Sequence, residues 1–222
     1  MRSHPAMLTP LLLLVAGCGA IPDRDRPKQV RSEAGAPAIA QASPEAQLCH
    51  AELGKTGSRF APLPDKYYGA GCSTLGTVRL DGLAGDRSSF AVTNLGPLAC
   101  PAATTLAGWA RFGVDRAARQ ILGSPLARIE TFGSYSCRNV AGTGRRSAHA
   151  RAEAIDVAAF VLANGERISV KDGWQASERE RRFLRTVHAS ACKRFGTVLG
   201  PDYNAAHRDH LHLEFGGGSY CR

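Results

Sequence analysis

The sequence predicts an α+β domain, a mainly antiparallel sheet with packed helices, braced by disulfides. Three observations lead there: short alternating runs recur between glycine-rich turns, two segments carry apolar residues at helical spacing, and the mature chain holds an even set of widely spaced cysteines. The 222 residues are 44% hydrophobic and 21% charged, an ordinary globular balance that excludes a disordered or low-complexity chain. That length suits one domain of common size with additions.

The additions come first. Arg2, the apolar stretch Leu11 to Val15 and then Val15-Ala16-Gly17-Cys18 read as a targeting leader over residues 1–17. Residues 18–48 are poor in large apolar side chains and rich in Ala, Pro, Gln and Ser, so they read as a flexible tether. The domain then spans 49–222. No apolar run in it approaches the roughly 18 residues of a membrane-spanning helix.

Within the domain, Tyr67 to Val92 alternates glycines with runs such as Thr77-Val78-Arg79-Leu80 and Phe90-Ala91-Val92, predicting strands joined by turns. Pro101 opens a helix with Leu106, Trp109, Ala110 and Val114 on one side, ending near Gly123. Ala127 to Phe132 alternates as a strand and leads into Gly133 to Arg138. The loop Gly142-Thr143-Gly144-Arg145-Arg146 lacks apolar side chains, which predicts a mobile, solvated segment. Val157 to Ala163, the turn Asn164-Gly165 and Arg167 to Val170 make a hairpin. Ser177 with Glu180 caps a helix that carries Phe183, Leu184, Val187 and Ala191 to about Lys193. Thr197 to Leu199 and Leu211 to Phe215 are strands around a loop containing His207 and His210.

Once Cys18 is set aside, Cys49, Cys72, Cys100, Cys137, Cys192 and Cys221 remain, and an even count in an exported chain implies three disulfides. Sequence proximity pairs Cys49 with Cys72, Cys100 with Cys137, and Cys192 with Cys221. The formal net charge is +9, and the excess of bases lies in the domain because acids and bases cancel in the tether. A basic exported domain points to an anionic envelope polymer or lipid surface and away from nucleic acid.

Two segments concentrate chemistry: Ser147-Ala148-His149-Ala150-Arg151-Ala152-Glu153-Ala154-Ile155-Asp156 and His207-Arg208-Asp209-His210-Leu211-His212. His149, Asp156 and one later histidine form a His₂Asp set, the donor type of a catalytic zinc with a fourth position left to water. His210 and His212 share one face of a strand, so one can bind metal while the other faces substrate. His4, His50 and His188 carry no such reading. Trp174 and Tyr203 are possible cleft walls, with burial the ordinary role for either.

The leader resembles the lipobox of bacterial lipoproteins, which implies lipid on Cys18, a membrane anchor and, with Gly19 following, the periplasmic face of the outer membrane. The pattern S-x-H-x(6)-D followed by H-x-D-H-x-H resembles the zinc site of the LAS metallopeptidases, the group holding D-Ala-D-Ala carboxypeptidases and dipeptidases and penicillin-insensitive murein endopeptidase. Over Cys49 to Cys221, including Tyr135-Ser136-Cys137-Arg138 and Val198-Leu199-Gly200-Pro201-Asp202-Tyr203-Asn204, the chain resembles the bacterial extensin-like C-terminal domain family.

The LAS resemblance implies a LAS/hedgehog-like core, one zinc on His149, Asp156 and His212, and Asp209 or His210 as general base. It also implies His207 as a further catalytic histidine and Arg138 stabilising the oxyanion or substrate carbonyl. Asp209 can alternatively orient a histidine ligand, and Ser147 either bonds towards the metal site or caps its turn. LAS enzymes usually carry glycine where this chain has Ala152; a positive φ there would strain alanine. Glu153, at odd spacing, should point away from Asp156. The expected function is an envelope-anchored zinc peptidase acting on peptidoglycan stem peptides or crosslinks through metal-activated water. The competing expectation is a non-catalytic lipoprotein that binds peptidoglycan or another anionic polymer.

Overall fold

The computed structural model describes residues 43–222; the expected leader, Cys18 and the expected tether up to residue 42 lie outside the described residues. Helix α1, Pro44–Lys55, takes in the last residues of the expected tether, because Ser43 accepts a hydrogen bond from the Ala46 amide and Pro44 is suited to a first turn. Strands β1 (Arg59–Pro62), β2 (Lys66–Gly69), β3 (Cys72–Thr74), β4 (Thr77–Ala84), β5 (Ser89–Thr93) and β6 (Leu98–Ala99) follow. Helix α2, Cys100–Trp109, continues through wider turns over Ala110–Asp115 and Ala118–Leu122. It stops at Gly123, whose φ of 74° a side chain would disfavour.

Strand β7 is Leu126–Gly133, β8 is Ala154–Leu162 and β9 is Arg167–Ser169. The last two form the expected hairpin, with Ala159 opposite Ser169. A one-turn helix α3, Val170–Gly173, unforeseen in the sequence, precedes α4, Glu178–Cys192, whose Ser177 accepts from the Glu180 amide as expected. Strands β10 (Thr197–Leu199), β11 (Leu211–Glu214) and β12 (Tyr220–Cys221) complete the chain.

The main sheet runs β1-β4-β5-β7-β8-β11-β10-β12, with β6 on β4 and β9 on β8, while β2 and β3 pair separately. Among the described strands, pairing is parallel only at β5–β7 and β10–β12, so the sheet is mixed though mostly antiparallel. Strand β8 lies between β7 and β11 and is buried at seven of its nine residues, consistent with its nearly continuous apolar sequence. The core joins helices to sheet: Trp109 meets Phe160 and Phe195 edge-on, Phe160 meets Phe183, and the Trp109 indole N–H donates to the Val187 carbonyl at 3.0 Å.

Three disulfides form, but two of the expected pairings are wrong. Cys49 bonds Cys100 and Cys72 bonds Cys137; Cys192 bonds Cys221 as expected. Proximity in sequence misleads because α1 packs on the first turn of α2, which carries Cys100, while β3 and the segment after β7 meet beside the 148–151 turn. The 142–146 loop is tied down more than its composition implies. Asn139 and Arg146 form a β-bridge, and the Arg146 side chain donates to the Ala70 carbonyl at 2.6 Å and to Asn139 at 2.9 Å.

Candidate metal centre

Ser147 opens a short 3₁₀ turn, Ala148–Arg151, by accepting from the His149 amide at 3.4 Å, so it caps this turn. The turn ends on Ala152 at φ 56°, the left-handed conformation that the missing glycine would have met without strain. Ala152 is buried and its amide donates to the His149 carbonyl at 3.1 Å, so alanine holds the required geometry at some conformational cost. The chain then enters β8, where Asp156 stands opposite His212 of β11 in the sheet register. The His₂Asp set thus comes from a buried turn and two paired central strands, all rigid elements.

The three donors converge. His149 Nε2 lies 3.2 Å from His212 Nδ1 and 3.2 Å from Asp156 Oδ2, and His212 Nδ1 lies 2.9 Å from Asp156 Oδ1. These separations are close to the edge of about 3.3 Å expected for a tetrahedron of ligands roughly 2.0 to 2.1 Å from a zinc ion. His149 Nδ1 lies 3.0 Å from the Ser134 carbonyl, an oxygen that can only accept, so Nδ1 carries the proton. Nε2 is then the ring nitrogen left to face the Asp156 carboxylate, where it can hold a proton or a metal ion.

The members of the set are also coupled electrostatically. Burial opposes charge on His212, yet hydrogen bonds to Asp156 and Glu214 raise its pKa to about 9. Burial likewise acts to raise the Asp156 pKa, and His149 and His212 hold it well below the usual carboxylate range. His212 Nε2 lies 3.7 Å from Glu214 Oε2, which makes Glu214 a partner on the far side of the proposed ligand. Glu214 was missed in the sequence; its signal was the i, i+2 spacing that puts it on the same face as His212.

Around this set, His210 Nε2 stands 3.5 Å from Asp156 Oδ1 while His210 Nδ1 hydrogen-bonds Asp209 at 2.9 Å. The His210 imidazole holds the Asp209 carboxyl below its ordinary pKa. The His207 ring lies 5.1 Å from that of His210 and 5.8 Å from that of His212, and its Nδ1 bonds Asn204 at 2.7 Å. Burial and then the charges of His210 and His212 push the His207 pKa down to about 4, with Arg138 adding a smaller effect in the same direction.

Tyr203, 42% exposed, stacks edge-on to His207, and Phe132, 56% exposed, does so to His210. Trp174 is not a cleft wall: it is buried, donates to Asp202 at 2.9 Å and lies under Arg185. Glu153 pairs with Arg151 at 2.7 Å and makes no contact with Asp156. A second grouping, His188 with Cys192 and Cys221, offers no thiolate because both sulfurs are in a disulfide.

Fold and site together define a disulfide-braced α+β domain with a His₂Asp cluster at its central strands. Residues 47–222 match the family model described as extensin-like protein C-terminus, and the chain belongs to that family. No curated protein and no solved structure matches it.

Proposed function

We propose that this chain is a zinc-dependent hydrolase acting on amide bonds in the peptide stems or crosslinks of peptidoglycan, held at the periplasmic face of the outer membrane by lipid on Cys18. The observation that carries the reading is the convergence of His149, Asp156 and His212 with the His210–Asp209 pair at its edge. The resemblance of the two histidine segments to LAS peptidases supports it, as does the chemistry of the donor set, which suits zinc.

His149, Asp156 and His212 would hold the ion. Bound zinc supplies Lewis acidity, lowering the pKa of a water towards about 7 and polarising a carbonyl. His210 is the group that takes the water proton, since its Nε2 faces the ligand set while Asp209 behind it fixes the tautomer and stabilises the imidazolium. Asp209 is then a positioning residue. Arg138 offers the donor fork of its guanidinium to the substrate carbonyl. His207, neutral at working pH, offers a hydrogen bond, and Tyr203 and Phe132 pack edge-on against His207 and His210.

Purified crosslinked muropeptides incubated with the zinc-loaded protein and separated by chromatography test this. Cleavage is expected, falling at least about 100-fold in His210→Ala, the range for loss of a general base. Intact substrate with the zinc-loaded wild type, or undiminished cleavage by His212→Ala, would overturn it.

A further inference from the structure

A concave surface elsewhere on the domain shares no residue with the histidine cluster. It is a groove of about 600 Å³ between the wide helical turns after α2 and helix α4. Arg116, Arg182, Arg185, Lys193 and Arg194 line it, and none of its lining residues is acidic. Two of these cations are engaged from outside the groove: Arg116 by Asp86, and Arg185 by Asp202. Arg182, Lys193 and Arg194 have no carboxylate partner among the described residues; the Arg194 guanidinium donates to the carbonyl and hydroxyl of Ser190.

Gln120, Thr186 and Ser190 add uncharged polar groups to the lining. Phe112, 46% exposed, sits beside them under the guanidiniums of Arg111 and Arg116, at 5.2 and 4.7 Å from the ring centre. Cations held close on rigid helices repel one another, and unpaired ones in a concavity concentrate anions. The concavity is open along its length and can take a polymer strand, and the aromatic ring among the bases suits a carbon frame between the charges.

We propose that this groove binds an acidic polysaccharide strand, with its anionic groups on Arg182, Lys193 and Arg194 and a sugar ring against Phe112. The site would hold the domain on an anionic glycan independently of the metal centre.

The test uses a fluorescent heparin octasaccharide as probe, with anisotropy read at low and high salt. Arg182→Glu with Lys193→Glu is expected to weaken binding at least tenfold, and Phe112→Ala about threefold. Lys66→Glu with Lys171→Glu, an equal charge change outside the groove, is expected to stay within twofold. The milder Arg182→Gln with Lys193→Gln, expected to weaken binding about fivefold, guards against misfolding of the reversal variant. Equal losses in the groove and control pairs would overturn the site. So would wild-type protein that ignores the saccharide, or that prefers phosphatidylglycerol vesicles or a thymidine 12-mer.

Discussion

Single residues carry the chemistry. Glu214 faces His212 from the side opposite Asp156, so Glu214→Gln should weaken zinc affinity about tenfold, the lower end for loss of a ligand's outer partner, measured by competition with a chelator. His188 tests a separate balance. Burial lowers its pKa below the ordinary value, opposed by donation of its Nε2–H to the Arg222 carbonyl. Below about pH 6.5 the unfolded chain therefore takes up a proton that the folded state resists, so this stability is present above that pH and lost as pH falls. His188→Gln should flatten the fall in Tm between pH 7 and pH 5; an unchanged slope would remove His188 as its source. Part of the cluster was legible in the sequence: residue type and spacing picked out His149, Asp156 and one later histidine, and only the LAS resemblance singled out His212. The Asp209–His210 order was not, since it depends on which side chain turns inward.

At the level of elements, the long alternating and capped segments were legible: β7, the β8–β9 hairpin and α4 all form where periodicity and turn residues put them. The start of α1 was not, because a polar, alanine-rich stretch looks the same in a tether and in a helix stabilised by its cap and by the Cys49–Cys100 bond. The close approach at Gly196 was equally hidden. A Cβ there would collide with the Gly216 carbonyl oxygen and stand 2.6 Å from its carbon. Gly196 also accepts from Tyr220 and donates to Glu214, tying β12 and β11 together. Gly196→Ala should thus destabilise the domain by about 3 kcal/mol, read by urea unfolding, because backbone rather than a movable side chain is in the way.

At the scale of the molecule, residues 43–222 form a disulfide-braced domain whose bonds join segments 29 to 65 residues apart in sequence. Cys72 and Cys137 are 65 residues apart, and closing a loop of that size stabilises by about 4 kcal/mol in the chain-entropy model. The double variant Cys72→Ala with Cys137→Ala should lower stability by about 2 to 5 kcal/mol. Non-reducing peptide mapping should recover Cys49 with Cys100; the Cys49–Cys72 peptide would contradict the fold. Pairings of this kind are not written in spacing, because they depend on which elements pack, and that is settled by the sheet order. The measurement that bears most directly on the central claim is zinc content by elemental mass spectrometry, on the oxidised, folded protein and its His149→Ala and His212→Ala variants. About one zinc per chain, lost in both variants while each stays folded, is the predicted result. A folded wild type that takes up no zinc when supplied, or variants that retain it, would contradict the account.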